Sequence, residues 1–95
     1  MHRHTVLFNL NDDADEAAVM AAMNSLADLP TVHAMVIGEN IVPMGERSPY
    51  KWLLIGDFAD QAARDAYEKH EHHVDVIQNA FLPNAKDFIV SDVNF

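Results

Sequence analysis

The chain has 95 residues, and its 15 acidic side chains against six Lys and Arg give a formal net charge of −9. The few basic residues are scattered and form no patch, which argues against a phosphate-binding surface and predicts no nucleic acid partner. The chain contains no cysteine, so disulfides, thiolate catalysis and zinc–thiolate sites are excluded.

The composition predicts a single small domain over residues 1–95. Apolar residues make up 49% of the sequence and charged residues 22%, close to the average of globular proteins. No apolar run approaches the roughly 18 residues that span a bilayer, and the N-terminus lacks the apolar core of a signal peptide. We therefore expect a cytoplasmic protein with no membrane partner.

The first half of the chain predicts a strand, a helix and a second strand. Residues 3–10 alternate between two faces and predict a strand, one face of which carries His4, Val6, Phe8 and Leu10. Asp13, with Glu16 three residues later, has capping-box spacing and predicts the start of a helix that Pro30 closes. A strand over residues 32–38 follows, and residues 39–49, with two prolines and a glycine, predict a long loop.

The second half predicts a strand, a helix and a last strand. Residues 50–58 are rich in aromatic and aliphatic side chains and predict the third strand. Asp60 can cap a helix whose inner face, at helical spacing, carries Ala59, Ala62, Ala63, Ala66, Tyr67 and His70. Apolar residues up to Phe81 predict another helical turn or two, and residues 86–93 predict the fourth strand. The order βαββαβ is the ferredoxin-like plan of the α+β class, a four-stranded antiparallel sheet with its helices on one face.

Both faces of the central strands are apolar, which predicts a partner for the face that the helices leave open. Leu7 lies opposite Val6 and Phe8 in the first strand, and Leu53 and Ile55 alternate with Trp52 and Leu54 in the third. A chain of this length buries only about 60 to 65% of the surface that its unfolded form exposes, so self-association is a common source of further stability. We therefore expect a homodimer.

The segment from Tyr67 to His73 carries the groups that could do chemistry, since imidazoles and phenols can transfer protons. At about 100° per residue, Tyr67 and His73 lie about 120° apart on a continuous helix, so they meet at one site only if the helix breaks near Glu71. The alanines beside Tyr67 predict either a close approach to the sheet or a cavity, and we expect the pocket here. An imidazole enclosed in such a pocket would be held neutral, which is the state that a base requires.

These segments together resemble the stress-responsive A/B barrel (Dabb) domain family. The matching features are a first strand with His4, a strand from Tyr50 to Phe58, a helix ending in Tyr67 with His at plus three and plus six, and a last strand through residues 88–92. The resemblance covers essentially the whole chain. It implies a homodimer in which two sheets face each other and form a dimeric α+β barrel.

The resemblance also implies a chemistry, because the family includes the plant polyketide (olivetolic acid) cyclase. On this resemblance His73 is the general base that removes a proton next to a carbonyl group, Tyr67 stabilises the enolate oxygen and His4 lines the pocket. The expected ligand is a small apolar carbonyl compound, and the expected reaction is a proton transfer or an aldol-type cyclisation or isomerisation. Further substrate contacts are expected from Val6, Phe8, Leu54, His70, Phe88 and Val90.

The chain departs from the cyclase at several positions, so the substrate is not inherited from it. Trp52 stands where the cyclase has a histidine, and Val76 replaces an aromatic residue. Glu71 stands where family members often have the proline that would force the helix to break.

A structural interpretation of the same residues stays open. Tyr67, His70 and His4 could be hydrogen-bonded core groups that fix a helix against the sheet. The protein would then be a non-catalytic ligand-binding or stress-related dimerisation module. His2 and His33 are expected to be surface residues.

A metal site is a further alternative, formed by His70, His72 and His73 with Glu71 or His4. We expect no metal, because His72 is expected to point to solvent and no acidic residue has the spacing of a supporting partner. A nucleotide or other cofactor is not expected either, since the chain has no Gly-rich phosphate loop.

Overall fold

Four strands form the frame of the protein in a computed structural model that describes residues 1–95. They are β1 (His2–Leu10), β2 (Ala34–Glu39), β3 (Trp52–Phe58) and β4 (Ala85–Asn94). The helices are α1 (Glu16–Asn24), α2 (Gln61–Lys69) and α3 (Glu71–Val76). A 3₁₀ turn over Ser25–Asp28 extends α1, and a π-helical turn over Ile77–Phe81 extends α3.

The strands form one antiparallel sheet in the order β2-β3-β1-β4, which confirms the predicted ferredoxin-like α+β fold. The central strand β1 pairs with β3 on one side and with β4 on the other. Val6 lies beside Leu54 and Val90 in this register, and His4 lies beside Gly56 and Asp92. The register thus brings residues from both ends of the chain next to one another.

Helices α1 and α2 each begin at an aspartate cap, and the cap of α1 is not the predicted residue. Asp60 caps α2 as expected, accepting a hydrogen bond from the Ala63 N–H at 2.8 Å. The expected cap at Asp13 is wrong, because Asp13 lies in the turn before α1, and it is Asp15 whose carboxylate accepts from the Ala18 N–H at 3.1 Å. None of the helices is both long and apolar enough to cross a membrane.

The core lies between the helices and one face of the sheet. Its largest fully buried side chains are Phe8, Met23, Leu26, Leu54 and Phe58. Phe8 packs edge-on against Phe81, with the ring centroids 5.3 Å apart, which fixes the π-helical turn over the sheet.

The inner face of α2 differs from the alanine stripe that its spacing predicted. Tyr67 is buried, and the residues that share its face are those three and four positions earlier, Arg64 and Ala63. The other members of the expected stripe are exposed: Ala59, Ala62, Ala66 and His70. Space beneath the helix therefore does not come from a row of alanines.

The second face of the sheet is uncovered and apolar in its middle. Val36 lies beside Ile55, and Leu7 lies beside Leu53 and Ile89. Val36 is 68% exposed and Ile89 47%, although strands rarely offer such side chains to solvent without a partner.

Candidate functional site

Helices α2 and α3 meet at a sharp break in the backbone. His70 separates α2 from α3 with an extended ψ of 137°, and its Nδ1 accepts a hydrogen bond from the His72 N–H at 3.1 Å. The break brings the Tyr67 and His73 ring centroids to 4.5 Å. The convergence of these two side chains depends on a break next to Glu71, as the helical geometry required, and the backbone of His70 provides it without a proline.

A cavity of about 290 Å³ lies between these helices and the sheet. Its polar end is formed by His4, Arg64, Tyr67, Glu68 and His73. Its walls are apolar and consist of Val6, Met23, Leu26, Leu54, Ile77, Phe81, Leu82, Phe88 and Val90. A small ligand with an apolar body and one polar group matches this division.

The structure brings most of the sequence-predicted site residues to this cavity, and two of them lie elsewhere. His4, Tyr67 and His73 line it together with the expected apolar residues of the strands, Val6, Leu54, Phe88 and Val90. Phe8 is fully buried beneath Phe81 and does not reach the cavity. His70 is exposed at the helix break, because its ring caps α3 instead of facing the sheet.

Tyr67 offers a hydroxyl group with no hydrogen-bond partner in the chain. Its side chain is only 2% exposed and packs against Phe58, with the ring centroids 5.0 Å apart. Burial raises the pKa of the Tyr67 phenol well above its usual value, with a smaller opposing effect from Arg64. The phenol is therefore protonated at all ordinary pH values and can donate a hydrogen bond to a bound ligand.

His73 has the properties of a neutral base. Its Nδ1 lies 2.9 Å from the Glu68 carbonyl oxygen. A carbonyl oxygen can only accept, so Nδ1 carries the proton and Nε2 of the neutral ring keeps its lone pair. Burial lowers the pKa of the His73 imidazole, and the hydrogen bond to Glu68 opposes that effect only in part.

Asp92 of β4 is hydrogen-bonded to two histidines of β1, His4 of the cavity and His2 outside it. Its Oδ1 lies 2.7 Å from His4 Nδ1, and its Oδ2 lies 2.8 Å from His2 Nε2. Burial alone would raise the pKa of the Asp92 carboxyl, but hydrogen bonds from His2 and His4 lower it below its usual value. The ionised Asp92 accepts from His4 Nδ1, which leaves His4 Nε2 as the nitrogen available to a ligand. Sequence spacing did not indicate this carboxylate, because Asp92 reaches His4 and His2 only through the pairing of β4 with β1.

His2 is buried, and its assignment to the surface is wrong. Residues two apart in a strand share a face, so His2 turns toward the helices with His4 and is 5% exposed. Its ring binds two acceptors, Asp92 through Nε2 and the Asn94 Oδ1 atom at 2.7 Å through Nδ1. The hydrogen bond to Asp92, followed by that to Asn94, raises the pKa of the His2 imidazole, which favours the cation. His33 is exposed, as expected.

The three histidines of the second half bind separate partners. His72 is half-buried rather than solvent-facing, since its Nε2 lies 2.7 Å from the Ser25 Oγ atom. His70 caps α3, and His73 binds a backbone carbonyl. No group of three or more His, Asp and Glu side chains is placed to hold a metal ion.

An ion pair that the sequence interpretation missed lies in the cavity wall. Arg64 hydrogen-bonds through Nη1 to the Glu68 carboxylate one helical turn later. The Arg64 Nε atom lies 3.1 Å from Asp92 Oδ2 and has no well-aligned hydrogen bond. Arg64 lies three residues before Tyr67, so the two side chains share a face of α2. That spacing is the sequence signal that indicates Arg64 beside a buried Tyr67.

Comparisons with known proteins agree with this architecture. Residues 3–95 match the sequence model of the Stress Responsive A/B Barrel Domain (Dabb) family. A search of curated protein sequences gave no significant match.

Solved structures with the same fold include a Dabb family protein with a ferredoxin-like fold from Mesorhizobium loti. It is 24% identical, has a TM-score of 0.81, and the match covers 99% of this chain and 95% of that one. A dimeric ferredoxin-like protein of unknown function from Thermobifida fusca is 20% identical, with a TM-score of 0.82 and coverage of 99% and 90%. A hydroxynitrile lyase from Passiflora edulis is 13% identical, with a TM-score of 0.84 and coverage of 97% and 90%. At these identities the likeness establishes the fold.

Proposed function

This chain belongs to the stress responsive A/B barrel domain family, and on that premise we propose that it is a homodimer that binds a small apolar carbonyl compound and transfers a proton next to the carbonyl group. One observation carries the proposal. The unpartnered hydroxyl of Tyr67 and the neutral ring of His73 meet at the polar end of an otherwise apolar cavity.

The two side chains supply complementary steps of one reaction. His73 Nε2 removes a proton from the carbon next to the carbonyl group, and the electrons of the broken C–H bond form the carbon–carbon double bond of an enolate. Negative charge then builds on the carbonyl oxygen, where the Tyr67 hydroxyl donates a hydrogen bond. The reverse transfer, to the same or another carbon, returns the proton and completes an exchange or an isomerisation.

His4 is the third polar contact of the proposed site. Its ring centroid lies 6.4 Å from that of Tyr67, whose own centroid lies 4.5 Å from that of His73. Asp92 accepts a hydrogen bond from His4 Nδ1, so His4 Nε2 can bind a second oxygen atom of the ligand or a water molecule. An enzyme with this fold, the hydroxynitrile lyase, supports the view that such a frame can hold a catalytic site.

The proposed dimer forms through the uncovered face of the sheet. The apolar side chains in the middle of that face include Val36, Ile55 and Ile89, and the similar structure from Thermobifida fusca is described as dimeric. A specific interface buries at least about 1,000 Å² in total, which a sheet face of four strands can supply. The cytoplasmic location inferred from the sequence stays a prediction.

Deuterium exchange tests the proton transfer directly. Acetophenone incubated with the protein in D2O should lose its methyl proton signals faster than in buffer, as followed by NMR. The variant His73→Ala should abolish the acceleration, and His33→Ala, which removes an exposed imidazole outside the cavity, is the control. Binding of acetophenone without exchange would refute the catalytic proposal and support ligand binding without turnover.

A further inference from the structure

The charges at the polar end of the cavity are paired among themselves. Arg64 lines the cavity, but Nη1 is hydrogen-bonded to Glu68 and Nε lies 3.1 Å from Asp92. A third carboxylate, that of Asp65, lies 3.7 Å from Nη1. The guanidinium therefore faces protein carboxylates on both sides, although its side chain is only 18% exposed.

The pairing leaves the site with no surplus positive charge. The Arg64 cation stands against three carboxylates, those of Glu68, Asp65 and Asp92, and burial lowers the pKa of the His73 imidazole, which favours its neutral form. A carboxylate ligand would have to leave water for an apolar cavity without gaining a free cation, and it would also lie close to Glu68. An uncharged carbonyl or hydroxyl group meets no such penalty, because neutral donors and acceptors are available from Tyr67 and His73.

We infer that Glu68 sets the charge selectivity of the cavity: by occupying Arg64 it makes the site accept ligands with an uncharged polar group and reject carboxylates. This inference rests on the proposed function, because it concerns the ligand of the same cavity. Glu68 is suited to this role, since it lines the cavity yet is 55% exposed and contributes little to the core. It is a specificity-determining residue rather than a catalytic one.

Two probes of the same size separate charge from shape. Acetophenone and benzoate have the same number of non-hydrogen atoms and the same aromatic ring, but benzoate is ionised near neutral pH. Binding of each is measured by NMR shifts of the His73 and Tyr67 ring signals during titration. The wild-type protein should bind benzoate more than tenfold more weakly than acetophenone.

Substitution of Glu68 should change the preference. Glu68→Gln keeps the size of the side chain and releases one face of Arg64, so benzoate should bind about fivefold more tightly, the range expected for one partly exposed ion pair. The readout is the ratio of the benzoate affinity to the acetophenone affinity, and ring-proton signals that match those of the wild type show that the variant is folded. Glu71→Gln is the matched control, because it removes the same charge at an exposed residue outside the cavity.

The outcomes distinguish the two proposals. Equal binding of benzoate and acetophenone by the wild type, or an equal gain for Glu68→Gln and Glu71→Gln, overturns the selectivity inference and leaves the ligand site intact. Absence of binding of both probes to the wild type overturns the ligand site itself, and the inference with it. A gain for benzoate confined to Glu68→Gln supports the inference.

Discussion

The hydroxyl group of Tyr67 gives the sharpest test of whether the site is functional or part of the core. The side chain is 2% exposed, but its oxygen has no hydrogen-bond partner within the chain. Tyr67→Phe removes only that oxygen and keeps the packing against Phe58 and His73. We therefore expect the free energy of unfolding to change by no more than about 0.5 kcal/mol, because no intramolecular hydrogen bond is lost.

Loss of the ring has a very different cost. Tyr67→Ala empties a buried aromatic position and should lower the free energy of unfolding by about 3 to 5 kcal/mol. In a domain of this size each 1 kcal/mol corresponds to roughly 4 to 8 °C in the melting temperature, so the two variants are easily separated. Tyr67→Phe should nevertheless lose activity although it keeps its stability. It removes the donor to the developing oxyanion and should slow proton exchange by about 10²- to 10³-fold.

Urea denaturation at one fixed protein concentration measures stability, and the concentration is fixed because dimers unfold in a concentration-dependent way. The exchange of acetophenone protons measures function. Tyr50→Phe is the control, since Tyr50 is half-buried and lies outside the cavity. A loss of more than about 1 kcal/mol in Tyr67→Phe would show that the hydroxyl makes a structural hydrogen bond, and the core interpretation would then replace the functional one.

The remaining predictions concern protonation and assembly. The pKa of His73 is lowered in the folded state, so the unfolded chain takes up the proton first as the pH drops below the ordinary histidine value of 6.5. The free energy of unfolding should therefore fall over that range. In urea denaturation, His73→Gln should remove this dependence. The pKa of His2 is raised, so its contribution has the opposite sign: it is complete below 6.5 and disappears as the pH rises through the raised pKa, and ring-proton NMR should show His2 titrating above His73. If both rings titrate at 6.5, the buried environments are wrong. Val36→Lys and Ile89→Lys each place a charge in the uncovered sheet face and should give monomers in sedimentation. The control Asp75→Lys, on an exposed turn of α3, should remain a dimer. Persistence of dimers in both face variants would place the interface elsewhere.

Local patterns in the sequence determined the order of the elements. Alternation in residues 3–10 and the aromatic and aliphatic side chains of residues 50–58 indicated strands, and Asp60 indicated where α2 begins. Such signals depend on composition and on neighbours within a few residues. The same short-range geometry showed that Tyr67 and His73 could meet only across a helix break, and the break is present. The cap of α1 is Asp15 and not Asp13, because three aspartates lie in one short segment and local spacing alone does not choose between them.

The tertiary structure decided which residues surround the site. Asp92 is 88 residues from His4 in sequence, and only the pairing of β4 with β1 places the carboxylate between His4 and His2. The phase of α2 over the sheet, which turns Arg64 inward, depends on how Tyr67 packs against Phe58, and the break after α2 leaves His70 exposed as the cap of α3. Periodicity states which residues share a face of one element, but strand register and helix rotation are set by packing between elements that are far apart in the chain.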